Sequence, residues 1–168
     1  MTALEWFARR IDVLIDIVGR FAAWTTFALV VVMASNVLLR YLFATGTVWA
    51  QELEWHLMAP IVLFGMSYAL RHGDHVRVDV LYAGFRPRVK RAVDLVAALL
   101  SAAVALAVIE LSWRYVLQSW SIGEGSANPG GIPYRYVLKS LIPIGFAFLF
   151  LQSLAEAARS LIALRRAD

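Results

Sequence analysis

Nineteen consecutive residues, Phe21 to Leu39, carry no formal charge. At 1.5 Å per residue they make about 28 Å of helix, close to the ~30 Å hydrocarbon thickness of a bilayer. Three further uncharged runs follow, Trp55 to Leu70, Leu95 to Ile109 and Ser140 to Ala155. Hydrophobic residues make up 61% of the 168 residues, where soluble domains run nearer half. The runs lack the period-two alternation of a transmembrane barrel strand, so helices are favoured. The sequence therefore predicts an all-α integral membrane protein with four transmembrane helices. The chain reads as one membrane domain over 1–168, with spans at about 21–43, 50–71, 91–120 and 134–159. Loop 72–90 lies on one side, and loops 44–49 and 121–133 on the other. With no cysteine, disulfides and thiolate metal sites are excluded.

Ahead of the first span, Leu4, Phe7, Ile11, Leu14 and Val18 recur at three-four spacing and predict an amphipathic N-terminal lead-in helix. It lies in the membrane interface or extends the first span, and Asp16 and Arg20 stand at i,i+4 spacing on it. The late, long apolar run reads as an uncleaved anchor rather than a signal peptide. Between the second and third spans, Arg71 to Arg91 holds six basic residues, and a short interfacial helix is expected to start near Asp79. Four spans place both termini and this loop on one side. That side collects twelve of the sixteen Lys and Arg, so it is expected to be cytoplasmic. The net charge of +4 then reflects insertion rather than a nucleic-acid partner. Membrane lipids are the expected surroundings.

Ionisable residues within spans point to function or packing. Glu110 and Arg114 stand at i,i+4 spacing with the acid first, about 22 Å beyond Leu95. They read as an ion site or as a pair that fixes helix packing. Arg40, Trp49, Glu52 and Glu54 flank one tight turn on the outer side and read as mutual anchors or as contacts to a partner chain. His56 is the only histidine near a span, while His72 and His75 lie in the basic loop, so paired axial haem ligands are not expected. No cofactor is expected. Gly123-Glu124-Gly125 lacks the third glycine and the flanking strand of a dinucleotide loop. Nothing in the chain resembles an enzyme active site.

A dispersed pattern adds a family reading. Asn36, Arg40 and Tyr41 end the first span, and Trp49, Glu52 and Leu53 open the second. Gly73, His75, Val78 and Asp79 mark the basic loop. Gly123, Glu124, Ser126, Pro133, Lys139, Pro143, Gly145 and Gln152 follow in the outer loop and fourth span. In order and placement these resemble the small four-helix membrane subunit of tripartite ATP-independent periplasmic (TRAP) transporters, the DctQ-like family. Gln51 departs from the pattern where many relatives carry an acid. The resemblance implies a scaffold subunit in the bacterial inner membrane. It would pair with a large elevator-type membrane subunit, for sodium-coupled uptake of an organic acid delivered by a periplasmic solute-binding protein. It also adds Glu124 and Lys139 to the set expected to serve partner contact or structure. Two other readings stand beside it: a self-sufficient small dimeric exporter, and a haem-bearing membrane anchor of an oxidoreductase.

Overall fold

The structure is a computed structural model that describes residues 3–74 and 82–165. Four antiparallel helices run along it: α1 (Ala3–Phe43), α2 (Val48–His72), α3 (Pro87–Ser121) and α4 (Arg135–Arg165). All four are long and apolar enough to cross a membrane, and the protein is an all-α, multi-pass membrane protein. The interfacial helix expected to start near Asp79 begins on residues outside the described ones, and the described Tyr82 and Ala83 are helical.

The lead-in and the first span form one unbroken helix of 41 residues, about 60 Å long and twice what a bilayer core requires. Its buried stripe differs from the expected one. Of that apolar stripe Ile11 and Val18 point inward, joined by Ala8 (4% exposed) and Ile15 (0%), whereas Leu4 (39%) and Leu14 (38%) turn outward. The reason lies in α4. Ala8, Ile11 and Ile15 meet Ala155, Phe148 and Leu151, and a small side chain at position 8 lets the two backbones approach. One step along, Val18 and Ala22 of α1 pack on Phe64 of α2 and on Phe148. The Phe64 and Phe148 rings meet edge-on at 5.6 Å, a favoured aromatic geometry.

Helix ends are written into the sequence. Thr47 caps α2, its hydroxyl accepting from the Ala50 N–H at 3.3 Å. Gly73 ends α2 in the left-handed conformation at φ 75°, where glycine meets no Cβ penalty. Proline at the first position opens α3.

Helix α4 is the centre of the bundle, packed against α1, α2 and α3, while α3 packs chiefly on α4. The α3 seam reads Ala98, Ala102, Ala105, Ser112, Val116 and Ser119. All but Val116 are small, and apart from the seven-residue step from Ala105 to Ser112 they recur at three-four spacing, suited to close helix approach in a membrane. Ser153 of α4 closes this seam with a 2.9 Å hydrogen bond to Ser101.

Candidate functional site

Polar side chains gather at the two ends of the bundle, here called the terminal side, where α1 begins and α4 ends, and the far side. On the far side Glu52 sits in the first turns of α2, only 2% exposed. One carboxylate oxygen accepts from the Ser126 hydroxyl and from Asn128 Nδ2 at 3.2 Å. The other accepts from the Ile132 backbone N–H at 2.7 Å. All three donors come from the segment joining α3 to α4, so a single carboxylate fastens that segment to α2. Buried carboxylates require such partners. A second fastening lies beside it: Lys139 of α4 pairs with Glu124 and stands 3.8 Å from the centre of the Tyr115 ring on α3. The Lys139 ammonium is also the main reason that the Glu124 carboxyl lies below its ordinary value.

The residues that the sequence grouped around the first turn separate in space. Glu54 accepts from Asn36 Nδ2 at 2.7 Å, joining α1 to α2. Trp49 is half exposed, and Arg40 is exposed without an ion pair among the described residues. Glu110 and Arg114 are both exposed on α3 and make no ion pair with each other or with any described residue. The neutralisation suggested by their spacing is therefore not formed. Each points away from the α4 seam, where its long side chain is free to adopt other rotamers.

On the terminal side the structure shows a network that sequence reasoning missed. Arg159 of α4 donates to both Asp12 oxygens at 2.9 and 3.0 Å and to Glu156 at 2.6 and 3.3 Å. Arg71 at the end of α2 pairs with Asp16, lies 3.8 Å from Asp12 and donates to the Asp12 backbone carbonyl. His72 approaches Asp16 at 4.0 Å. Asp16 thus pairs across to α2 rather than with Arg20 along its own helix. The available signal was the Asp12–Asp16 repeat, one helical turn apart on the face that turns inward. The network ties α1, α2 and α4 at one level, and no group of acids and histidines able to hold a metal occurs among the described residues.

Neither cluster arranges a nucleophile and base for catalysis; both join helices. The family described as "Tripartite ATP-independent periplasmic transporters, DctQ component" matches residues 29–163. The chain belongs to that family. Among relatives of this DctQ-family protein, the "Ectoine TRAP transporter small permease protein TeaB" of Halomonas elongata is 28% identical over 128 residues, covering 76% of this chain and 65% of the relative. The "C4-dicarboxylate TRAP transporter small permease protein DctQ" of Vibrio cholerae is 31% identical over 112 residues, 66% of this chain and 48% of that protein. Its namesake in Pseudomonas aeruginosa is 29% identical over 106 residues, 62% of this chain and 50% of its own. The matched stretches span about half to two thirds of these relatives' lengths. The match includes the whole far-side fastening and, of the terminal-side network, Arg71, His72, Glu156 and Arg159.

Proposed function

We propose that this DctQ-family protein is the small scaffold subunit of a TRAP transporter of the inner membrane, pairing with a large membrane subunit that carries solute across. The observation behind this reading is family membership over 29–163, in a molecule whose polar clusters serve to join its own helices. Uptake is read as sodium-coupled and fed by a periplasmic solute-binding protein. An organic acid is the solute class, an assignment supported by the C4-dicarboxylate systems named for two relatives. The bias of basic residues to one side supports cytoplasmic termini and a periplasmic far side.

For the partner surface, the side chains of choice are those left unmatched at membrane depth. Arg40, Glu110 and Arg114 are exposed and without ion pairs among the described residues, and a charge facing lipid is costly. A large subunit offering complementary groups would relieve that cost. Glu52, Glu124 and Lys139 serve instead to hold the far-side loop in shape, with Trp49 at the rim. Charge reversal tests this division. Glu110→Lys and Arg40→Glu are expected to reduce recovery of the large subunit in affinity purification while leaving membrane insertion intact. Unchanged recovery would place the interface elsewhere.

A further inference from the structure

Helices α2 and α3 both pack on α4 and make little contact with one another among the described residues. Toward the terminal side the gap between them widens into a cavity of about 690 Å³, within the ~300–1,000 Å³ range of small-molecule sites. We propose that this crevice binds one phospholipid with a zwitterionic, amine-bearing headgroup of the phosphatidylethanolamine class.

The order of its lining residues matches an amphiphile. Charged groups form one rim: Arg91 and Asp94 in the opening turns of α3, with Glu156 and Arg159 near the end of α4. Leu70 stands at the level of the rim, and beyond it, toward the membrane centre, the walls are Met66, Ala97, Ala98 and Leu149, with Ser101, hydrogen-bonded to Ser153, among them. A headgroup at the rim therefore puts its acyl chain against apolar side chains.

The rim also carries both charges in usable form. Arg91 makes no ion pair among the described residues, and its planar guanidinium suits a phosphate. Asp94 accepts the Tyr82 hydroxyl at 2.8 and 2.9 Å and has no cationic partner among the described residues. It therefore keeps lone pairs and a negative charge for a donor. Arg91 and Asp94 stand at i,i+3, about 5–6 Å apart between Cβ atoms. A phosphate and an ammonium joined by two carbons can reach both. A trimethylated amine offers no N–H to Asp94, and a glycerol headgroup offers hydroxyl donors but no positive charge to match that carboxylate.

A lipid fits better than a helix from a partner. A spanning helix needs a trough of about 30 Å, whereas the α3 lining of this crevice, Arg91 to Ser101, covers about 15 Å of helix. A separate cavity of about 370 Å³, lined by Trp55, Tyr115 and Lys139, occupies the far side. With about 15 Å of lining helix, the terminal-side crevice is about one leaflet deep.

The test is native mass spectrometry of the full chain, delipidated in detergent and titrated with phosphatidylethanolamine, phosphatidylcholine or phosphatidylglycerol of identical acyl chains. One phosphatidylethanolamine is expected to be retained, with about tenfold preference over phosphatidylcholine, the scale of a hydrogen bond to a charged group. Asp94→Asn is expected to abolish that preference. Arg91→Gln is expected to weaken all three lipids, and Ala97→Trp to block binding by filling the trough while leaving both charges in place. Chain-free phosphoethanolamine is expected not to bind, since the trough supplies much of the affinity. Thermal melts of each variant separate lost binding from lost folding. Equal retention of the three lipids by the wild type, or a preference that survives Asp94→Asn, would overturn the proposal. So would a photo-crosslinker at position 97 that captures another protein chain instead of lipid in the purified complex.

Discussion

A close approach of two helix backbones supplies the sharpest quantitative prediction. At Gly145 of α4, an added Cβ would stand 2.7 Å from Leu63 Cβ, 3.0 Å from the Leu63 carbonyl oxygen and 3.2 Å from its carbon. Optimal carbon–carbon contact is about 3.5–4.0 Å, and two of the three atoms are main chain, so no rotamer change relieves the overlap. In Gly145→Ala, α2 and α4 must separate by roughly 0.5–1 Å, which also loosens the nearby Phe64–Phe148 contact. Overpacking of this kind costs about 1–3 kcal/mol, offset by up to ~1 kcal/mol from better helix propensity. The net expectation is a loss of about 1–2 kcal/mol, or a melting temperature lowered by roughly 2–8 °C for a chain of this size. Gly65→Ala in α2 is the internal control, because a Cβ there meets nothing within 4 Å. It is expected to leave the melt unchanged or raise it. The six tryptophans allow both melts to be read by intrinsic fluorescence in detergent. The reasoning is refuted if Gly145→Ala melts at or above the wild type, or if Gly65→Ala loses as much.

Other expectations concern the polar clusters. Glu52→Gln removes the charge that holds the far-side loop, so amide exchange at Ile132 is expected to quicken while the centre of α4 stays protected, as read by hydrogen–deuterium exchange. At the other end, an Asp12→Asn and Arg159→Gln double-mutant cycle is expected to give a coupling of about 1 kcal/mol, modest because both groups are partly exposed to solvent. The lowered carboxyl of Glu124 contributes stability that is present above the ordinary carboxylate value of 4.5 and is lost as pH falls through its lowered value. Acidification below about pH 4.5 should therefore loosen the far-side loop in the wild type, and in Glu124→Gln the part due to the Glu124–Lys139 pair should be missing while Glu52 still fastens the loop, followed by exchange across 122–134.

The four helices were legible because their cause is local. An uncharged run long enough to cross a bilayer, such as 21–39, has few alternatives to being a helix. Thr47, Gly73 and Pro87 mark helix ends through their own backbone chemistry. What could not be read was rotation about the helix axis. Leu4, Phe7 and Leu14 share a stripe with Ile11 and Val18, and only the small Ala155 on the facing helix decides that Ala8 and Ile15 go inside. Ion pairing was obscured for the same reason. Asp16 with Arg20 and Glu110 with Arg114 satisfy the one-turn spacing rule, yet Asp16 finds Arg71 some fifty residues along, and Glu110 pairs with no described residue. The far-side fastening was half visible. Glu52 stood out as an acid at the head of a span, but its donors Ser126, Asn128 and the Ile132 N–H lie in a polar loop whose path is set by tertiary contacts.

The central proposal is that this chain is a subunit that supports transport by another. Co-expression of the tagged chain with the large membrane subunit from the same system, followed by purification and reconstitution into liposomes with the cognate solute-binding protein, tests it directly. The account predicts a stable complex of the two membrane chains, sodium-driven solute uptake by that complex, and none by this chain alone. Solute transport by the purified chain without a partner would contradict it.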